Sequence, residues 1–166
     1  MKIPLKNKPG EIVAYATIDS GDLPLVGHIS WSMSKADYPY AIGNIKVGKT
    51  WKTGVRMHRL ILGAQPGQMI DHINGNCLDN RRKNLRFCNK SQNGTNSKLP
   101  KNSTSGYKGV TYYKRYEQYG TPWMAQIGFN WKHTTIGYFK TPKEAAVAYN
   151  KKAKEIHGDF AKLNIL

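Results

Sequence analysis

Acidic side chains are scarce in this sequence: ten Asp and Glu stand against 26 Lys and Arg, a formal net charge of +16 over 166 residues. The imbalance argues against a cationic partner and for a polyanion, with nucleic acid the first candidate. It is sharpest between Tyr38 and Tyr116, where fifteen Lys or Arg face only Asp71 and Asp79. Cysteine is nearly absent. Cys77 and Cys88 stand singly, without a Cys-x-x-Cys pair, which excludes a four-cysteine zinc site and a disulfide scaffold. Each reads as a small buried apolar residue. No hydrophobic run approaches the roughly 18 residues that a membrane span needs, and the basic stretch from Met1 to Gly10 lacks the apolar core of a signal peptide. The expectation is a protein of the reducing cytoplasm that does not engage membranes.

What is present is a series of short elements. Beta-branched and aromatic residues between Gly and Asp clusters predict strands at 12–18, 25–33 and 40–46, with turns at Ser20-Gly21-Asp22 and Val47-Gly48-Lys49. Trp31, Tyr38 and Tyr40 can serve either as sheet-face core or as base-stacking platforms. Met57, Leu60 and Ile61 are spaced for a brief helix within 55–62, closed by Gly63 and Pro66-Gly67. Then come an apolar strand at 69–73, a tight turn at Asn74-Gly75, a polar loop at 76–83 and a second strand at 84–88. Asn89 is placed to cap a short helix over 90–96.

Residues 97–105 are polar, basic and without periodicity, the best linker in the chain. Three further strands are predicted at 107–113, 123–130 and 132–138. The helix after them is marked by Thr141 as N-cap, Pro142 at its first position, Glu144 completing a capping box, an apolar stripe of Ala145, Tyr149, Ala153 and Ile156, and Gly158 at its end. The fold class is α+β. It comprises an N-terminal short-stranded β region (1–54), a central module (55–96), a basic linker (97–105) and a C-terminal three-stranded antiparallel sheet packed on one helix (106–166).

The densest polar chemistry lies between Met69 and Asn96. Hydrolysing a phosphodiester needs a deprotonated water, neutralisation of charge on the phosphorane, and help for the departing 3′ oxygen. One divalent cation can supply the second and third needs. Asp71 is a natural oxygen ligand, and Asn93 can bring another from the following helix. His72, neutral at pH 7, is the candidate general base. Neighbours on an ideal strand face opposite sides, so twist or the end of the strand must bring both to one cleft. Taken alone, the Asp-His pair also reads as a decorated surface turn.

The wider segment adds to this. With Met57-His58-Arg59-Leu60, Asp71-His72-Ile73-Asn74-Gly75-Asn76, Asp79-Asn80-Arg81, Asn84-Leu85-Arg86 and Ser91-Gln92-Asn93, residues 55–96 resemble an HNH endonuclease module of the beta-beta-alpha-metal type, as in phage and intron-borne homing endonucleases. The resemblance implies that Asp71 is the first metal ligand, His72 the general base, Asn84 the orienting asparagine and Asn93 the second ligand, where other members carry His. The implied cofactor is Mg²⁺ or Mn²⁺. His58 reads as a packing or phosphate-contacting residue. Arg59, Arg81, Arg82, Lys83 and Arg86 flank the cleft as phosphate clamps, while Asn74, Asn76 and Asn80 shape turns.

A second resemblance covers 106–164. Tyr107-Lys108-Gly109-Val110, Trp123-Met124-Ala125-Gln126-Ile127, Ile136-Gly137-Tyr138-Phe139, Thr141 with Glu144-Ala145-Ala146, Ala148-Tyr149-Asn150, Gly158 and Asn164 are similar to the ethylene-response-factor (Apetala-two type) DNA-binding domain. This implies a sheet that enters the major groove with the helix behind it. Lys108, Thr111, Tyr113, Lys114, Arg115, Trp123, Gln126 and Thr135 then lie at the DNA, and Lys98 and Lys101 follow its backbone. Thr111 and Gly128 replace two arginines of the plant domains, so the docking mode carries over and the target sequence does not. A module that holds DNA by charge alone is the plainer reading.

Together these features predict a metal-dependent, sequence-tolerant but site-specific endonuclease of phage or mobile-element type. It is expected to nick double-stranded DNA as a monomer, without an obligate protein partner. The alternative is a non-catalytic DNA-binding regulator that retains the HNH fold. The N-terminal strands either extend the DNA-contacting surface or complete the nuclease core.

Overall fold

The first strand is one that the hydrophobic pattern conceals. In the computed structural model, Lys2–Lys6 forms β1, with Ile3 and Leu5 turned inward between the exposed ends Lys2 and Lys6. It pairs antiparallel with β2, Ile12–Thr17. The structure describes every residue except Asp37, Lys98, Pro100, Lys101, Asn102, Asn130 and Trp131, so the DNA-contact expectations for Lys98 and Lys101 lie outside the described residues. Two units are formed, Met1–Asn89 and Lys90–Leu166.

In the first unit, the strand expected over 25–33 is mostly not a strand. Leu23–Val26 forms a single helical turn, α1, with Pro24 in its first turn, and extended backbone resumes only at β3, Trp31–Met33. Proline's fixed φ and missing N–H suit the start of a helix and deprive a ladder of a donor. β4 (Ala41–Val47) and β5 (Thr50–Arg56) form a hairpin beside β3, in the order β3-β4-β5. Strand β5 therefore takes residues expected in the helix, leaving Met57–Ile61 as α2. The hairpin β6 (Met69–His72) and β7 (Leu85–Cys88) completes the unit.

Leu5, Ala16, Ile18, Val26, Trp31, Ala41, Met57, Ile61 and Leu85 belong to one buried cluster. Residues 1–54 and the strands of the nuclease motif thus share a core, and the N-terminal strands complete it. Trp31 is core: it is buried, and its indole Nε1 donates to the Val26 carbonyl at 2.9 Å.

In the second unit, α3 (Lys90–Thr95) groups with the C-terminal elements, where the sequence placed a boundary after Asn96. Thr95 Oγ1 donates to the Phe160 carbonyl at 3.0 Å, and Lys108 Nζ donates to the carbonyls of Thr95 and Ser97. Strands β8 (Val110–Tyr112), β9 (Trp123–Phe129) and β10 (Lys132–Phe139) make an antiparallel sheet with β9 central. Ala125 and Val110 pack against Ala145 and Ala146 of α4 (Pro142–His157), and Ile127 packs against Tyr149 and Ala153. Helix α4 starts as its sequence prescribes, with Thr141 Oγ1 accepting from the Glu144 N–H at 3.2 Å.

β8 is shorter than expected because the chain turns at Gly109, whose φ is +73°. A Cβ there would run into the Tyr149 ring and come within 2.6 Å of the Gln126 carbonyl oxygen. Gly109→Ala is expected to destabilise the second unit by about 3 kcal/mol. Gly120 has a similar φ of +68° but nothing within 4 Å of an added Cβ, so Gly120→Ala should cost only about 1 kcal/mol. Equal losses in denaturant titrations would show that the Tyr149 contact is not what excludes a side chain.

Candidate active site

The β6–β7 ladder pairs Asp71 with Arg86 and His72 with Leu85. Both Asp71 (6% exposed) and His72 (4%) are buried, although they are neighbours on one strand. Asp71 Oδ2 accepts from Arg86 Nε at 3.0 Å and Nη2 at 2.7 Å. His72 is the last residue of β6, where regular alternation ends, and its Nε2 lies 3.3 Å from Asn80 Oδ1. With Asn80 Nδ2 directed at the Leu78 carbonyl, the Asn80 oxygen accepts a hydrogen bond from Nε2–H, and the imidazole's basic lone pair is then on Nδ1.

Between the strands, the chain is folded by its own asparagines. Asn74 Oδ1 accepts from the Asn76 N–H at 2.8 Å, and Asn76 Oδ1 accepts from the Leu78 N–H at 3.0 Å. Asn84 joins the two ends of this loop: its Nδ2 donates to the Asp79 carbonyl at 2.7 Å and its Oδ1 accepts from the Asn74 N–H at 3.0 Å. Asp79 accepts from Arg81 at 2.6 and 2.8 Å and from Asn74 Nδ2 at 2.9 Å. The Arg81 hydrogen bonds hold its carboxyl below the usual range.

This loop is fastened to the N-terminal hairpin. The Thr17 N–H donates to Leu78 at 2.8 Å, and the Asn80 N–H donates back to Thr17 at 2.7 Å. Asp19 accepts from the Arg82 N–H at 2.8 Å, and buried Asp22 holds the Arg82 guanidinium at 2.7 and 3.0 Å. Asp19 and Asp22 were not among the residues the sequence singled out. Their partners lie 60 or more positions away, and the one local hint is an acidic pair in an acid-poor chain.

Behind His72 sits His58, with ring centroids 5.0 Å apart and edge to face, and Tyr40 lies 5.3 Å from His58. Burial, followed by the neighbouring His72, lowers the His58 pKa to about 3. Burial also lowers that of His72, against the opposing pull of Asn80 and Asp71. Both rings are therefore neutral at pH 7, and His58 is a packing residue.

The remaining expected contacts are distributed as follows. Arg59 braces the loop after α2, donating to the carbonyls of Gln65 and Gln68 at 2.7 Å each. Arg81, Arg82 and Arg86 are held by Asp79, Asp22 and Asp71, whereas Lys83 is exposed. Asn93 is exposed on α3, in the second unit. In that unit Lys108 turns inward, its pKa lowered to about 8 by burial and by Lys162.

Trp123 shares the parity of Ala125 and Ile127 and packs on the helix side of the sheet, while Gln126 faces the other way. Trp123 is thus a correction to the groove-facing set: alternation puts it with the core. Lys114 is exposed, and Arg115 lies over the Tyr116 ring at 4.9 Å.

The Asp71 carboxylate is a hard oxygen donor of the kind that suits Mg²⁺ or Mn²⁺. Among the described residues, no group of three or more His, Cys, Asp or Glu is placed to hold a metal ion. A lone carboxylate of this kind suits an ion that takes most of its ligands from water and phosphate, as Mg²⁺ commonly does. Among the described residues no helix is long and apolar enough to cross a membrane.

A hairpin carrying an Asp-His pair, closed by Asn84 and followed by a short helix, defines the class. Residues 55–95 match the HNH endonuclease family; the chain belongs to that family and is a nuclease. Among its relatives, Protein 3.8 of Escherichia phage T7 is 33% identical over 96 residues, which cover 58% of this chain and 75% of the relative. An uncharacterized HNH endonuclease, L560 of Acanthamoeba polyphaga mimivirus, is 29% identical over 153 residues, 90% of this chain and 74% of its own. No solved structure matches.

The His58 environment gives a pH dependence of folding. Its pKa falls from 6.5 in the unfolded chain to about 3 in the fold, so the unfolded state takes up the proton first. The resulting stability is complete above pH 6.5 and is lost as pH falls towards 3. From pH 7 to 5, His58 alone should cost the first unit about 2 kcal/mol. His58→Asn should flatten the denaturation-midpoint curve over that window; an unaltered slope would show that the ring does not titrate as its burial requires.

Proposed function

We propose that the protein is a metal-dependent, site-specific DNA endonuclease that nicks duplex DNA as a monomer. The supporting observation is the buried pairing of Asp71 and His72 at the end of β6, with the imidazole held through Asn80 and the loop closed by Asn84. His72 accepts the proton of the attacking water. Asn80 fixes the ring's tautomer and orientation, and Asn84 is a positioning residue that keeps the 74–84 loop shut around it. Asp71, and by the family resemblance Asn93, would hold Mg²⁺ or Mn²⁺, an ion that would supply neutralisation of the charge building on the phosphate. Arg86, now bonded to Asp71, is the cation best placed to meet a phosphate that competes with that carboxylate for the guanidinium. One such pair per chain makes a single-strand cut the direct product.

The C-terminal unit, in this reading, is an Apetala-two-type tether. Its DNA-facing side is the one that carries Thr111, Gln126 and Thr135, with Lys114 and Arg115 at its margin. Lys108 and Trp123 stabilise the module from inside.

His72→Ala should reduce nicking of supercoiled plasmid in Mg²⁺ by about 10² to 10⁴, with duplex affinity measured in EDTA unchanged. Wild-type chain should be inactive in EDTA and recover on adding Mg²⁺ or Mn²⁺. Equal cutting by the variant would remove His72 from the role of base, and cutting in EDTA would remove the metal.

A further inference from the structure

The arginines around the Asp-His pair carry little uncompensated charge, since Arg81, Arg82 and Arg86 each face a carboxylate. The first unit's unbalanced charge lies elsewhere. A groove of about 1010 Å³ opens on the β3-β4-β5 sheet, floored by Trp31 and Gly43 and walled by Lys6, Lys8, Lys35 and Lys46. No Asp or Glu lines it, and none of these lysines takes part in an ion pair among the described residues.

The β4–β5 hairpin forms one rim. Its turn region adds Lys49 and Lys52, and Trp51, paired with Lys46 across the strands, is 64% exposed. Every residue from Thr50 to Gly54 is exposed, so this end of β5 is a two-stranded ribbon that packs on little of its own unit. Gly43 keeps the floor low: a Cβ there would come within 2.8 Å of Ile29 and 3.0 Å of Trp31. Trp51 is not part of the buried core, and its indole stands next to Lys52 and across from Lys46.

We propose that the β4–β5 ribbon and its groove bind duplex DNA flanking the cleaved bond. One phosphate backbone lies among the groove lysines, and the ribbon rests in the adjoining DNA groove. Charge complementarity selects a polyanion. The dimensions favour a duplex, since a major groove about 12 Å wide admits a two-stranded ribbon. Trp51 supplies an apolar contact at the groove wall. The inference rests on the endonuclease reading for the identity of the nucleic acid, and it adds a second DNA-contacting surface, within the nuclease unit itself.

The test uses the full chain in EDTA, with fluorescence anisotropy on a labelled duplex, the matching single strand and heparin over a range of salt concentrations. The K46A/K49A/K52A chain should lose about 2.7 from the slope of log affinity against log salt on the duplex, at roughly 0.9 per phosphate contact. Trp51→Ala should weaken duplex binding without altering the slope. All these side chains are exposed, so circular dichroism and thermal melts should match the wild type.

An unchanged duplex slope in the triple variant overturns the proposal. A loss confined to the single strand overturns it by assigning the groove to unpaired nucleic acid, and equal losses on heparin and duplex overturn it by showing a general polyanion surface. If the wild type binds as described but never nicks, the endonuclease reading fails and the docking surface stands.

Discussion

The site depends on a small piece of backbone pairing between Thr17 and the Leu78-Asp79-Asn80 segment. A loop of asparagines closed only by its own side chains would be one of several conformations open to a polar chain of that length. Parallel bonding to a strand already fixed in a hydrophobic core removes the alternatives. Asn80 is thereby held where it can meet His72, and Asp79 where it can meet Asn84. The hairpin's geometry is set by residues outside it, and the N-terminal strands and the β6–β7 hairpin accordingly share one unit.

Acidic residues are few, and in the first unit Asp19, Asp22, Asp71 and Asp79 each bond an arginine. Asp19 and Asp22 fasten Arg82, Asp79 fastens Arg81, and Asp71 fastens Arg86. A chain of such high positive charge repels itself. Placing its scarce carboxylates where the loop ends converge turns part of that repulsion into local order. In the first unit it is arginine, with its planar fork, and not lysine that makes these carboxylate pairs.

Legibility in the sequence followed the range of the forces involved. Helix α4 was readable because Thr141, Pro142, Glu144 and Gly158 act on their immediate neighbours, and the Asx turns of Asn74 and Asn76 for the same reason. The Asp71-His72 hairpin was legible from pattern and from resemblance. Strand β1 was not, since Pro4 and the lysines on either side masked the alternation of Ile3 and Leu5. Nor could the sequence tell a phosphate clamp from an arginine already paired inside, because the carboxylate holding Arg82 is 60 residues away. Trp123 shows the same limit. Its residue type suits either face of a sheet, and only the packing of α4 on Ala125 decides.

The seam between the two units falls at Asn89, before α3, rather than in the polar stretch that follows it. Thr95 and Lys108 make the reason concrete, since the helix that ends the nuclease motif is bonded into the sheet unit. An engineer exchanging the C-terminal cassette would be misled by the polar stretch after Asn96. A graft made after Asn96 carries Lys90–Thr95 away from Phe160 and Lys108, so the new cassette must supply equivalent partners. The compact C-terminal unit starts at Lys90, and a graft taken there brings part of the nuclease motif with it.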